Sequence, residues 1–505
     1  MKLKMLALAA AVTMSLPAWA DKTYNADVVV VGAGAGGTVA AVSAVEGGLK
    51  TIMIEKNAFP GGAGLFMEGS FGVQTPYTKA KNMKWTTTDA FNAMAEYHHW
   101  RINAPLVKAF VELSGDTIQW VEDHGVKWKE VKTAWRNKAE ETWHIYPYAG
   151  SLPKTMVELF KKEGGTLLLN TPGEKLITKD GKVTGVIAKD TKTGEKVTIN
   201  AKNVILATGG YSFNTKMVKD LTGIDMTPVG TPGRTGDGIN MAMKVGGATA
   251  GMSQVVGNAP YLPDRPPINQ FNGEDWLKQG RCALAQPWLW IDRNGERFFN
   301  ESRGSVFTEV YAAMTAAGGI MYNILDQAKF DQLVATGPLI PFNAIVTVGT
   351  PLKALPKTFE EGMKRGWAFK ADTLEDLAMQ IGVPYENLKA TMEKVNEYAK
   401  TGVDAEFGRK KEHIAAFDME KGPYYALKGI RTYFLTLGGI KINRRFEALN
   451  GQGDSIPNLY MAGADMGGLF MDTDDIKVEG ATSSFALTSG RLAARYAMDA
   501  IKAGR

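Results

Sequence analysis

Gly32-Ala33-Gly34-Ala35-Gly36-Gly37 leaves the backbone bare where a chain must turn sharply and an anion must come close. Gly32 permits the tight turn, Gly34 lets the main chain approach a pyrophosphate, and Gly37 lets the next helix pack against the preceding strand. Eighteen residues after Gly37 stands Glu55, an acid placed to accept hydrogen bonds from ribose hydroxyls, with Lys56 beside it. Three more glycine-rich junctions follow. Thr208-Gly209-Gly210 closes the apolar run Asn203–Ala207, Thr235-Gly236-Asp237-Gly238 leads into a helix, and Gly463-Ala464-Asp465 ends the run Asn458–Ala462. Gly480-Ala481-Thr482-Ser483-Ser484 then opens a last helix to about Ala500. Any one of these is an ordinary strand-to-turn junction. As a set they specify dinucleotide binding and favour FAD over NAD.

The elements that must position these turns are legible beside them. Asp27–Val31 is a short β-branched run of the kind found in a parallel strand buried on both faces. A small-residue helix from Thr38 to about Glu46 and a second strand, Thr51–Ile54, complete a strand–turn–helix–strand unit. The fold class is therefore α/β, with a Rossmann-like FAD-binding domain. Residues 259–274 are rich in Pro, Asn, Gln and Asp, a linker-like change of composition. Segment 371–400 has helical spacing, with Leu374, Leu377, Ile381, Leu388, Met392, Val395 and Tyr398 on one side.

Together with Gly61-Gly62-Ala63-Gly64, Asn294–Glu301 and Gly422–Ala426, these segments resemble the fumarate reductase/succinate dehydrogenase flavoprotein family, in its soluble, secreted, flavocytochrome c-like branch. The resemblance covers essentially the whole chain after residue 20. It implies an FAD-binding domain from 24–265 and 422–505, with an α+β capping domain, 266–421, inserted to cover the substrate. It also implies cofactor contacts at Gly32, Gly34, Ala35, Gly36, Gly37, Glu55, Lys56, Gly62, Ala63, Gly209, Gly210, Asp237, Gly463, Asp465, Thr482 and Ser483. Covalent relatives attach FAD through a histidine after the ribose acid; Gly62–Met67 contains none, so a non-covalent cofactor is expected.

Reducing a carbon–carbon double bond takes a hydride on one carbon and a proton on the other, from a donor fixed within hydrogen-bond reach. The resemblance puts an arginine donor shortly after an Asn-Glu pair, which here makes Arg303 the candidate, with Glu301 as its relay partner. An arginine stays protonated, so it needs such a relay. The rest of the dicarboxylate clamp is thin. The histidine expected before Thr436-Leu437-Gly438-Gly439 is Leu435, residues 251–259 hold no His-Pro pair, and Arg281 is out of register with the expected Glu-x-x-Arg. The final carboxylate-binding arginine aligns with Lys477, which either holds one carboxylate or pairs with Asp474, Asp475 or Glu479. Losing several charge-assisted hydrogen bonds, at about 1.5–3 kcal/mol each, leaves fumarate without its grip. Trp288, Trp290, Tyr433 and Phe434 occur where the polar clamp is expected, and Tyr433 could replace a charged donor. The expected reaction is reduction of a larger α,β-unsaturated acid or enone, cinnamate-like rather than fumarate. The alternative is the same half-reaction run backwards, as a ketosteroid-type dehydrogenase.

Lys2, Lys4, the apolar run Met5–Leu16 and Ala18-Trp19-Ala20 read as a secretory signal over residues 1–20, cleaved after Ala20 and directing the chain to a periplasm. Removing them lowers Lys+Arg from 58 to 56 against 53 acidic residues, a balance of +3 that calls for no nucleic acid. No other apolar run is long enough to span a bilayer. Cys282 is the only cysteine, so no disulfide within the chain can form, and there is no Cys-x-x-Cys-His haem site and no cysteine cluster for iron–sulfur. The five histidines show no metal-ligand spacing, and no metal is expected. Electrons are expected from a separate periplasmic donor, a cytochrome c.

Overall fold

The computed structural model describes residues 21–132, 142–263, 274–342, 346–471 and 478–504. The candidate signal sequence and Lys477 lie outside them.

Val28–Val31 are all buried, and they lie in the Lys22–Val31 strand at the heart of an eight-stranded sheet. The order runs Glu447–Leu449, Ser455–Met461, Lys196–Leu206, Lys22–Val31, Thr51–Ile54, Thr166–Leu168. Five consecutive strands, from Ser455–Met461 to Thr166–Leu168, run parallel. A sheet of that kind must be covered on both faces. The small-residue helix Ala35–Glu46 and the C-terminal helix Ala481–Lys502 pack together on it. A Cβ on Gly490 would come 2.3 Å from the Gly36 carbonyl oxygen, so glycine here sets how closely the two helices approach.

The second sheet is six-stranded and is organised by one long strand, Tyr424–Thr436. Thr227–Pro228, Val255–Tyr261, Ile320–Asp326 and Ala368–Ala371 all pair with it, and Leu289–Ile291 pairs with Ile320–Asp326. Two hydrophobic cores result. The first takes in buried residues up to Val256 and from Tyr433 onward; the second runs from Ala259 to Leu427. The seam between them passes through the strands Val255–Tyr261 and Tyr424–Thr436.

The periodic segment 371–400 is two helices, Leu374–Ile381 and Tyr385–Thr401. Gly382 at φ 71° ends the first, and Pro384 precedes the second. Leu374, Leu377, Ile381, Leu388, Met392 and Val395 are buried in the second core. Cys282 is buried there too, where burial pushes its thiol pKa up. Among the described residues no helix is long and apolar enough to cross a membrane, and no group of three or more His, Cys, Asp or Glu is placed to hold a metal.

Candidate active site

The glycine turn has the shape of a phosphate cradle. Gly32 sits at φ 105°, and a Cβ there would come 2.4 Å from the Ala207 carbonyl oxygen. At Gly37 it would lie 1.9 Å from the Gly32 oxygen, so neither position accepts a side chain. Gly34 differs: a Cβ would meet only the Gly61 oxygen, at 4.0 Å. Gly34 also caps the Ala35–Glu46 helix with no side chain bound to its first amides, which leaves that end for an anion. Gly62 and Ala63 lie in the short 3₁₀ turn Gly62–Phe66, and a Cβ on Gly62 would be 3.4 Å from Gly34 Cα.

Glu55 is buried and braces this turn. Its Oε2 accepts from the Ala33 amide at 2.9 Å, and its Oε1 accepts from the Asn57 amide and side chain at 2.9 and 2.8 Å. Oε2, which accepts only once, keeps a second lone pair for a ribose hydroxyl. Lys56 Nζ donates to Thr235 Oγ1 at 2.8 Å and to Asp237 Oδ2 at 2.6 Å, joining the first glycine segment to Thr-Gly-Asp-Gly.

A buried carboxylate, Asp465, ties the other junctions together. It accepts from the Thr208 amide and hydroxyl and from the Gly210 amide at 2.9 Å, while Thr208 Oγ1 accepts from the Gly238 amide at 2.9 Å. Burial pushes the Asp465 pKa up and these donors oppose it. A Cβ on Gly210 would fall 2.9 Å from Thr436 Oγ1, and the Tyr211 amide donates to that same hydroxyl at 3.2 Å. Gly209, Gly210, Asp237, Gly463 and Asp465 therefore converge beside the end of the strand that crosses both cores. Thr482 and Ser483 occupy the first turn of the C-terminal helix. The Ser483 hydroxyl is turned to its own chain, near the Gly69 and Gly480 carbonyls, and accepts from Ser70 at 3.2 Å.

The expected Arg303–Glu301 relay is not formed. Arg303 is half-exposed and grips Glu309 through two nitrogens. Glu301 is wholly buried and accepts from Arg297 Nε at 2.9 Å and Nη2 at 2.6 Å. Arg297 also reaches both oxygens of Asp404, at 3.1 and 2.7 Å, and Glu406 at 3.1 Å. Glu301 is an anchor of the second core because the Glu301–Arg303 turn directs the two side chains apart, one inward and one to solvent. Trp288 and Trp290 are also core residues: both are buried, and Trp290 stacks on Phe299 with its Nε1 on the Gln286 carbonyl. Arg281 is buried as well, its Nη2 on Asn258 Oδ1 at 2.9 Å and its guanidinium 3.4 Å above the Tyr261 ring.

Tyr433 lies at the seam. Its side chain is fully buried, and its hydroxyl has no hydrogen-bond partner among the described residues. Tyr211, which follows Thr208-Gly209-Gly210, and Arg234, which precedes Thr235-Gly236-Asp237-Gly238, both interact electrostatically with it. Burial raises the Tyr433 pKa to about 12, opposed by the Arg234 charge. Leu435, where the resemblance expects histidine, is half-buried against the first core. Arg234 was not among the candidates from sequence; its place directly before Thr-Gly-Asp-Gly was the available signal. Tyr146 and His144 are buried in another polar knot, with Tyr146 at 2.8 Å from Ser70, which also bonds Ser483, and His144 on Thr75 at 2.9 Å. Burial lowers the His144 pKa to about 4. Tyr148 is exposed.

A family of FAD binding domains matches residues 27–473, and the chain belongs to it, as a flavoprotein of the fumarate reductase/succinate dehydrogenase kind. It is 31% identical to the vinyl phenol reductase of Lactiplantibacillus plantarum over 481 residues, covering 93% of this chain and 96% of that one. It is 29% identical to a fumarate reductase (cytochrome) of Shewanella frigidimarina, covering 93% of this chain and 76% of that one. Its fold matches a solved 3-ketosteroid-Δ4-(5α)-dehydrogenase from Rhodococcus jostii at a TM-score of 0.72 and 23% identity, covering 97% and 99% of the two chains. The cradle described above fits FAD, and the protein is an FAD-dependent oxidoreductase acting on carbon–carbon double bonds.

Proposed function

We propose that the protein reduces the conjugated double bond of a bulky α,β-unsaturated acid, enone or vinyl-substituted aromatic, and that fumarate is not its substrate. When bound, FAD supplies the hydride. Tyr433 then holds an oxygen of the substrate and orients the double bond, so that one carbon takes the hydride and the other takes a proton from water. The reading rests on one observation, the buried Tyr433 hydroxyl with no partner among the described residues, three residues before Thr436, whose hydroxyl packs on Gly210. A buried hydroxyl in a folded protein has a partner as a rule, and in this reading a substrate oxygen supplies it. The likeness to vinyl phenol reductase over nearly its whole length supports an aromatic substrate, and Leu435 in place of histidine weakens any dicarboxylate clamp. In this reading the chain is exported through residues 1–20, works in the periplasm with FAD held non-covalently, and draws electrons from a separate cytochrome c.

The test is anaerobic. The FAD-loaded protein is supplied with reduced methyl viologen and offered cinnamate, 4-hydroxycinnamate, 4-vinylphenol and fumarate. Viologen oxidation by the aromatic compounds, with fumarate at least about 100-fold slower in kcat/KM, is the expected result. A loss of two or more clamping bonds at about 1.5–3 kcal/mol each sets that ratio. Rapid fumarate turnover overturns the substrate reading. Dye reduction by saturated ketones, with no alkene reduced, assigns the oxidative direction instead.

A further inference from the structure

Arg234 is an unusual cation for this protein. It is 6% exposed, and its guanidinium donates Nε to the Thr231 carbonyl at 3.2 Å and Nη2 to the Phe434 carbonyl at 3.0 Å. Among the described residues, the third nitrogen, Nη1, has no acceptor and no carboxylate pairs with the guanidinium. Burying an uncompensated charge is costly. The contrast with Arg297 is direct, since that guanidinium is ringed by Glu301, Asp404 and Glu406. Burial brings the Arg234 pKa down to about 10, so it remains a cation at neutral pH.

Its surroundings connect it to the cofactor turns. A Cβ on Gly209 would lie 3.5 Å from Arg234 Cγ, so the arginine stem rests on the Thr208-Gly209-Gly210 turn. A Cβ on Gly230 would lie 3.0 Å from Nη2, so glycine there leaves room for the guanidinium. The Phe213 and Phe434 rings each stand 5.9 Å from the guanidinium carbon. The second group lacking a partner among the described residues, the Tyr433 hydroxyl, belongs to the residue directly before Phe434, whose carbonyl accepts from Arg234.

We infer that Arg234 and Tyr433 form a receptor for one anionic oxygen group, supplied either by a carboxylate or phenolate of the substrate or by a phosphate of FAD. The substrate source rests on the function proposed above; the phosphate source does not. The pairing is charge-assisted on one side and a neutral hydroxyl donor on the other, a combination suited to a single acidic oxygen centre. A fumarate dianion would leave its second carboxylate unmatched.

The experiment uses FAD-loaded protein and three variants, Arg234→Ala, Arg234→Lys and Arg234→Gln. The glutamine retains an amide donor for the Phe434 carbonyl and removes the charge, so it separates a fold staple from a receptor if the alanine variant unfolds. Dissociation constants are read from flavin absorbance for cinnamate and for its neutral methyl ester, and FAD retention from flavin fluorescence. The substrate source predicts that Arg234→Gln weakens cinnamate by about 10-fold or more. The ester then changes less than about 3-fold, FAD affinity is unchanged, and Arg234→Lys recovers much of the loss. The phosphate source predicts a loss of about 10-fold or more in FAD affinity, with the cinnamate-to-ester ratio unchanged. If Arg234→Gln alters neither FAD affinity nor that ratio, the receptor is refuted and Arg234 only staples its loop. Wild-type protein that reoxidises with no alkene refutes the function proposed above, and the FAD arm still decides the phosphate source.

Discussion

Tyr433→Phe should make the enzyme slower and more stable at once. The hydroxyl is buried without a partner, and an unsatisfied buried polar group costs about 1–3 kcal/mol. Deleting one oxygen leaves only a small void, so a net gain of about 1 kcal/mol in unfolding free energy is expected for the substrate-free, FAD-loaded enzyme. The same deletion removes a hydrogen bond to a charged or polar substrate oxygen, worth about 1.5–3 kcal/mol, which is roughly a 10- to 150-fold loss in kcat/KM. Urea denaturation followed by flavin fluorescence reads the first quantity, and viologen-linked turnover of cinnamate reads the second. A packing residue would give the opposite signature. A variant that loses stability while keeping full turnover refutes the assignment of Tyr433.

Other outcomes follow from the same geometry. Glu301→Ala strands Arg297 against its remaining partners, and breaking a buried pair predicts a stability loss of about 3–5 kcal/mol by urea denaturation. Arg303→Ala removes a half-exposed pair, so stability should change by less than about 1 kcal/mol and cinnamate turnover by less than about 3-fold. Burial alone would raise the Asp404 pKa, but hydrogen bonds and charge from Arg297 hold it well below the usual carboxylate range. Its contribution to stability is therefore full above the unfolded-state value near pH 4 and is lost as pH falls toward the folded value. Asp404→Asn should flatten the urea midpoint between about pH 4 and pH 2 and lower it at pH 7. A midpoint with the wild-type acid slope would contradict this. Gly37→Ala places a Cβ 1.9 Å from the Gly32 oxygen and should abolish FAD retention on gel filtration.

The parallel sheet and the cofactor cradle were legible because their signals are local. Val28–Val31 and Gly32–Gly37 are contiguous in sequence with Glu55 only eighteen residues on, and the physics of a buried strand and a bare turn constrains each of them. Asp465 was legible as a strand end, while its bonds to Thr208 and Gly210 depend on two strands lying side by side. The seam between the cores was harder. Composition changes at 259–274, but the strands Val255–Tyr261 and Tyr424–Thr436 are shared by hydrogen bonding across the seam, which no local pattern records. Arg303 and Glu301 were misjudged for a related reason. Two residues apart, they looked like partners, yet a 3₁₀ turn sends one outward and leaves the other to meet Arg297, four residues earlier, which also holds Asp404. Arg234 escaped notice because a lone arginine in a Pro-Gly-rich loop reads as solvated; only burial without a carboxylate distinguishes it.

The most direct measurement is a single turnover. The FAD-loaded protein is reduced with one equivalent of dithionite, mixed anaerobically with 4-hydroxycinnamate or with fumarate, and followed by flavin absorbance and product chromatography. The account predicts rapid reoxidation by 4-hydroxycinnamate with one double bond saturated per FAD, and reoxidation by fumarate slower by at least about 100-fold. Equal or faster reoxidation by fumarate, with succinate formed one per FAD, would contradict it.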